Sequence, residues 1–133
     1  MAEAAPAPAP RPFAYTVLRV VPCLQRGERL NVGVALFCRQ LDFLALRTGL
    51  DRDRLAALAP GLAPEPVAAR IEAIRRVIEG DPAAGALAAL PPSERFGWLT
   101  APSSTSIQPS EAHTGLTTDP AAELDRLFER LVL

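Results

Sequence analysis

Along the N-terminal third of the chain, apolar positions recur with a period of two. From Phe13 to Leu24 the residues are rich in aromatic and β-branched types, and Phe13, Tyr15, Val17 and Val21 share one face that Arg19 interrupts. Such alternation predicts a β-strand with one side against a core. Gly27, inside Gln25–Glu28, marks a turn. Beyond it a second strand is predicted, with Leu30, Val32, Val34 and Leu36 on a bulky face and Asn31, Gly33, Ala35 and Phe37 on a sparser one. A sparse face lets a helix or a ligand approach the sheet closely. Leu41–Thr48, after a short turn at Arg39-Gln40, predicts a third strand and completes an antiparallel meander.

The period then changes. Leu50–Leu58 predicts a short helical or turn segment, ended by the Pro/Gly-rich bridge Pro60–Pro64. Within Glu65–Glu79, Val67, Ile71, Ile74 and Ile78 recur at intervals of four, three and four. That is the stripe of an amphipathic helix, with Pro66 near its start and Gly80 as its stop. Asp81–Pro92 is a connection of small residues with a loose turn at Ala86–Leu90, and Ser93–Phe96 predicts one turn of helix. Ser104–Gln108, bounded by Pro102 and Pro109, predicts a short strand. Asp119-Pro120 opens the last helix as N-cap and first helical residue, and Leu124, Leu127, Phe128 and Leu131 form its apolar stripe. The order predicts an α+β fold: an antiparallel sheet of three to four strands with two main amphipathic helices on one face.

Composition narrows this further. With 133 residues, 49% of them hydrophobic, the chain fits one domain with a core of ordinary size, expected at 13–133. Residues 1–12 (MAEAAPAPAPRP) lack the basic start and apolar stretch of a signal peptide, and their alternating Ala and Pro predict a disordered tail. No apolar run approaches the roughly twenty residues needed to span a bilayer. The net charge of -1 argues against a general nucleic-acid or acidic-membrane binder. All fourteen basic residues are Arg, which reads as codon bias rather than fourteen anion contacts. In the predicted hairpin Cys23 and Cys38 lie on the order of 25 Å apart along the strands, beyond disulfide reach. Reduced, buried thiols are expected, and they point to a cytoplasmic protein.

The candidate chemistry gathers in Glu94–Asp119, which holds the only Trp (Trp98), the only His (His113) and a dense run of hydroxyls. Ordering such groups requires hydrogen bonds among themselves or to something else. There is no Gly-rich phosphate loop and no CxxC, and a single His excludes HExxH, so no cofactor or metal site is expected. Ser103, Ser104, Ser106 and Ser110 surround His113, with Glu111 or Asp119 available to orient an imidazole. The strained GxSxG elbow is absent, and hydroxyl-rich loops commonly satisfy their own backbone. In Arg26–Val34 the plain reading is a charged turn entering a core strand. The sharper one is an Asn31 amide left open beside Gly33. Trp98 fits a core position better than a stacking platform.

Three strings carry a family resemblance: RVVPCLQRGERLNVGVALFCR, then ERFGWLTAPSSTSIQPSEAHTG, then DPAAELDRLFERLV. Together they resemble the bacterial domain-of-unknown-function family 3037, over nearly everything after the tail. The resemblance implies an uncharacterised small protein with an accessory role, associated with HipA-like kinases. It directs attention to Arg19, Glu28 and Asn31 in the hairpin, and to Ser104, Gln108, Ser110, His113 and Thr114 in the late segment. The two segments are expected to lie side by side as one polar surface, where Arg19 or Arg95 holds a carboxylate bidentately. The expected function is an accessory or interaction module that binds a partner protein there. The alternative is a small enzyme, or a phosphate- or nucleotide-binding protein, using His113 and nearby Ser and Thr. In a third reading the polar segment only caps the sheet edge.

Overall fold

The expected meander is present in the computed structural model, which describes residues 9–102 and 105–133. It comprises β1 (Arg11–Val20), β2 (Leu30–Cys38) and β3 (Phe43–Thr48), each antiparallel to the next. β1 starts two residues ahead of the expected domain boundary, because Arg11 and Pro12 pair with Thr117 and Leu116. The rest of the expected tail, residues 1–8, lies outside the described residues. At its other end β1 stops at Val20 rather than Leu24. Pro22 has no N–H to continue a ladder, and the chain leaves the sheet through a loop in which Gly27 adopts φ +71°.

A bulge in the β1–β2 pairing changes how β2 presents its side chains. Leu18 faces Gly33 and Arg19 faces Asn31, leaving Val32 as the extra residue. The four bulky residues expected on one face therefore divide. Val34 and Leu36, with Cys38, join one core cluster, while Val32 and Ala35 join the other. Val32, Val34 and Leu36 are all fully buried, so β2 is covered on both sides.

Helices accordingly occupy both faces, not the single face expected. On one lie α1 (Arg52–Leu58), α2 (Pro64–Ile78) and α3 (Pro92–Thr100). They bring Leu55, Val67, Ile71, Ile78, Phe96 and Leu99 against Leu18, Val20 and Leu46. The Asp51 carboxylate caps α1 by accepting from Arg54 N at 3.0 Å. Gly80, at φ +73°, turns the chain away after α2 as expected. α3 runs a full nine residues where one turn was expected, started by Pro92 at its first position. On the opposite face α4 (Pro120–Leu131) packs Leu124, Phe128 and Val132 over Val34, Leu36 and Phe13. Asp119 caps it through Ala122 N at 3.1 Å, as the Asp-Pro pair predicts. No helix among the described residues is long and apolar enough to cross a membrane.

The late polar segment supplies two strands, β4 (Ile107–Pro109) and β5 (His113–Thr117), of which only the first was expected. Both run antiparallel to β1 along its free edge, β4 beside Leu18–Val20 and β5 beside Arg11–Tyr15. The sheet is thus five-stranded, in the order β3-β2-β1-β4 with β5 also on β1.

Both cysteines are free, as the hairpin spacing predicts. Cys38 is buried as expected at the end of β2, its thiol donating to Pro12 O at 3.4 Å, but Cys23, also expected buried, stands exposed because β1 ends at Val20 and leaves it in the loop. Alkylation of the native protein should add one label, at Cys23, and a second only after denaturation. Two labels on the folded chain in intact-mass spectra would place Cys38 outside the core.

Candidate functional site

The sheet register sets three candidate residues in one row. Arg19 of β1 is paired with Asn31 of β2 on one side and with Gln108 of β4 on the other. Directly paired residues project from the same face of a sheet. His113 is paired with Tyr15, four residues before Arg19 and so on that same face. α4 packs on this face too, but over β2 and β3. Tyr15, Arg19, Gln108 and His113 therefore line the strip of sheet beside α4. Hairpin strand β2 and the late segment were expected side by side, but β1 lies between them: Asn31 and Gln108 flank Arg19 from opposite sides, and His113 stands four residues farther along β1.

Arg19 is the chemically exposed point of the row. Its side chain makes no hydrogen bond or ion pair among the described residues, and its Nε is buried without a partner. Burial pulls the guanidinium pKa below its ordinary value, Arg29 pushes the same way, and Glu111 opposes them. The group stays cationic at any physiological pH. The unsatisfied Nε is itself shut off from solvent and is costly; what the position offers from outside is its charge, which no carboxylate among the described residues neutralises through an ion pair.

The flanking amides are partly committed. Asn31 Nδ2 donates to Leu131 O at 3.0 Å and so closes the last turn of α4. Gln108 Nε2 donates to Thr105 O at 2.9 Å. Among the described residues neither amide oxygen accepts a hydrogen bond. The exposed imidazole of His113 lies against Tyr15 with ring centroids 5.2 Å apart.

Ser110 plays a different part from the one expected. The pairings of β4 and β5 with β1 differ in register by one residue, and Ser110 stands at that irregularity, only 6% exposed. Its N–H donates to Val17 O at 2.8 Å, and its hydroxyl accepts from Val17 N at 2.8 Å while donating to Glu111 O at 2.9 Å. The fully buried Thr16 hydroxyl donates to Ser110 O at 2.8 Å. These bonds satisfy backbone groups that the break in the ladder would otherwise strand. The hydroxyl is occupied inside the sheet and is not presented to a ligand.

Other candidates fall away from the row. Thr114 is paired with Ala14, which puts it on the opposite face from His113. Glu28 is exposed and ion-paired with Arg26, in a shallow hollow with Pro22, Cys23 and Leu58. Arg95 Nη1 donates to Ile78 O at 2.7 Å, closing α2 on the other side of the sheet. Ser104 lies outside the described residues. No hydrogen bond joins His113 to a serine among the described residues, so the nucleophile pair has no geometry to support it. Tyr15, not anticipated as a contributor, carries the His113 ring, a position visible in the period-two spacing back from Arg19, and Glu111, expected to orient an imidazole, instead supplies a carboxylate near enough to act on Arg19.

Residues 15–132 match the family model described as "Protein of unknown function (DUF3037)". No curated protein matches the chain, and no solved structure does.

Proposed function

Because the chain belongs to the DUF3037 family, whose description assigns no activity, we propose its function from the surface it carries: an accessory module that binds a partner protein through the Asn31–Arg19–Gln108 row and the adjoining His113. The observation behind this reading is Arg19, a half-buried cation with no ion-pair or hydrogen-bond partner among the described residues, paired in the sheet with Asn31 on one side and Gln108 on the other. A partner carboxylate would pair with the cation through the terminal N–H groups of the guanidinium. Donors beside the carboxylate would meet the amide oxygens, so the fitting partner is an acidic, hydrogen-bonding peptide segment. A HipA-like kinase is the partner class we propose for it. The enzyme alternative has less support, since Ser110 is committed to the sheet and Thr114 faces away from His113.

Titrating the purified protein with such a kinase tests this by calorimetry. Arg19→Gln should weaken association by about 2 kcal/mol or more, with the melting temperature retained, while Glu28→Ala should leave association unchanged. Arg19→Gln binding as tightly as the wild type would remove the row from the interface.

A further inference from the structure

On the other face of the sheet, under β4, a cleft of about 340 Å³ opens between α2 and α3. It reaches the lower end of the size range of small-molecule sites, roughly 300–1,000 Å³. Leu18 lies at its floor, only 1% exposed. Ile74, Leu99, Ile107 and Pro109 supply apolar walls, and Trp98 lines it half-buried. The single Trp of the chain packs partly against the core, as expected, and lends its remaining surface to the cavity wall. Among the described residues no carboxylate lines the cleft, and its one charged group is Arg70.

Arg70 differs from the other arginines of α2. Arg75 is tied to Glu72 and Glu79, and Arg76 also lies against Glu72. Arg70 has no acidic partner among the described residues. It sits one helical turn before Ile74, which places both side chains on the cleft side of the helix. An apolar cavity with one uncompensated cation at its wall complements a ligand with a hydrocarbon body and a single anionic end.

We propose that this cleft binds a small monocarboxylate with an alkyl or aryl body, its carboxylate on Arg70 and its hydrocarbon against Ile74, Trp98 and Leu99. The site is independent of the Arg19 row, since Leu18 and Arg19 project from opposite faces of β1. Either site can fail without the other.

Trp98, the sole Trp, reports on the cleft directly through its fluorescence. Titrating the full-length protein with octanoate should change Trp98 emission saturably. Octanamide, equal in length but uncharged, should bind at least about tenfold more weakly, the loss expected for a charged hydrogen bond. Arg70→Met should reduce octanoate binding to the octanamide level while leaving octanamide unchanged. Amide chemical shifts in α2, α3 and β4 should move with the emission, and unperturbed shifts elsewhere would confirm that the variant stays folded. Equal affinity for octanoate and octanamide, unchanged octanoate binding in Arg70→Met, or no saturable response at all would each overturn the proposal.

Discussion

Replacing Phe128 by Ala is expected to destabilise the protein by about 3–5 kcal/mol, the usual range for truncating a buried aromatic. The ring is 4% exposed and lies in the cluster that holds α4 to the sheet, with Leu124 and Val132 on its own stripe and Val34 and Leu36 below. It also fits a slot that only glycine leaves open. A Cβ on Gly49 would stand 3.0 Å from Phe128 Cζ. Above the ring the Arg47 guanidinium lies 4.4 Å from its centroid and hydrogen-bonds Asp125 at 2.8 Å. Truncation removes apolar burial, leaves a cavity and takes away the cation–π contact. Domains of this size are stable by about 5–15 kcal/mol, so the variant should lose a large share of its stability. Urea unfolding followed by circular dichroism measures this. A loss under about 1 kcal/mol would mean that α4 is not a structural layer of the core.

The second large effect is expected at Ser110. Ser110→Ala should cost about 2 kcal/mol, because it leaves the buried Val17 N–H without an acceptor. It also removes the donor to Glu111 O and a neighbour of the Thr16 hydroxyl. Hydrogen exchange at the Val17 amide should accelerate in step with the loss of stability. Partner binding, measured where enough protein is folded, should be unaffected, since the hydroxyl faces the sheet interior. A neutral Ser110→Ala variant with unchanged Val17 exchange would show that the irregularity is held by something other than this side chain. Weakened binding at unchanged stability would return Ser110 to the candidate surface.

These two residues mark how far the sequence could be read. Phe128 was legible because a helical stripe is a local pattern: Leu124, Leu127, Phe128 and Leu131 recur with the helix period, and Asp119-Pro120 states where the helix begins. Ser110 was visible as an unusual residue, but its role was not. A serine in a hydroxyl-rich segment looks the same whether it meets a ligand or replaces backbone bonds at a break in a strand ladder. What separates the two cases is the register of β4 and β5 against β1, a contact across some ninety positions of chain.

The same division runs through the whole fold. Local pattern determined the meander, α2 with its glycine stop, α4 with its cap, and free cysteines at separate ends of the hairpin. These follow from side-chain period, turn chemistry and chain reach, which neighbouring residues settle among themselves. Tertiary structure alone decided the rest. A bulge at Val32 divided the bulky residues of β2 between two faces, and α4 lies opposite the other helices. Pairing with β1 made a strand of His113–Thr117, a segment with weak strand preference of its own. Long-range register also sorted the candidate site. It put Asn31, Arg19 and Gln108 in one row with His113 beside them, while Thr114 turned to the far face and Ser110 went into the sheet. Side-chain direction in a sheet reverses with every residue, so one extra residue in a distant pairing decides which groups meet.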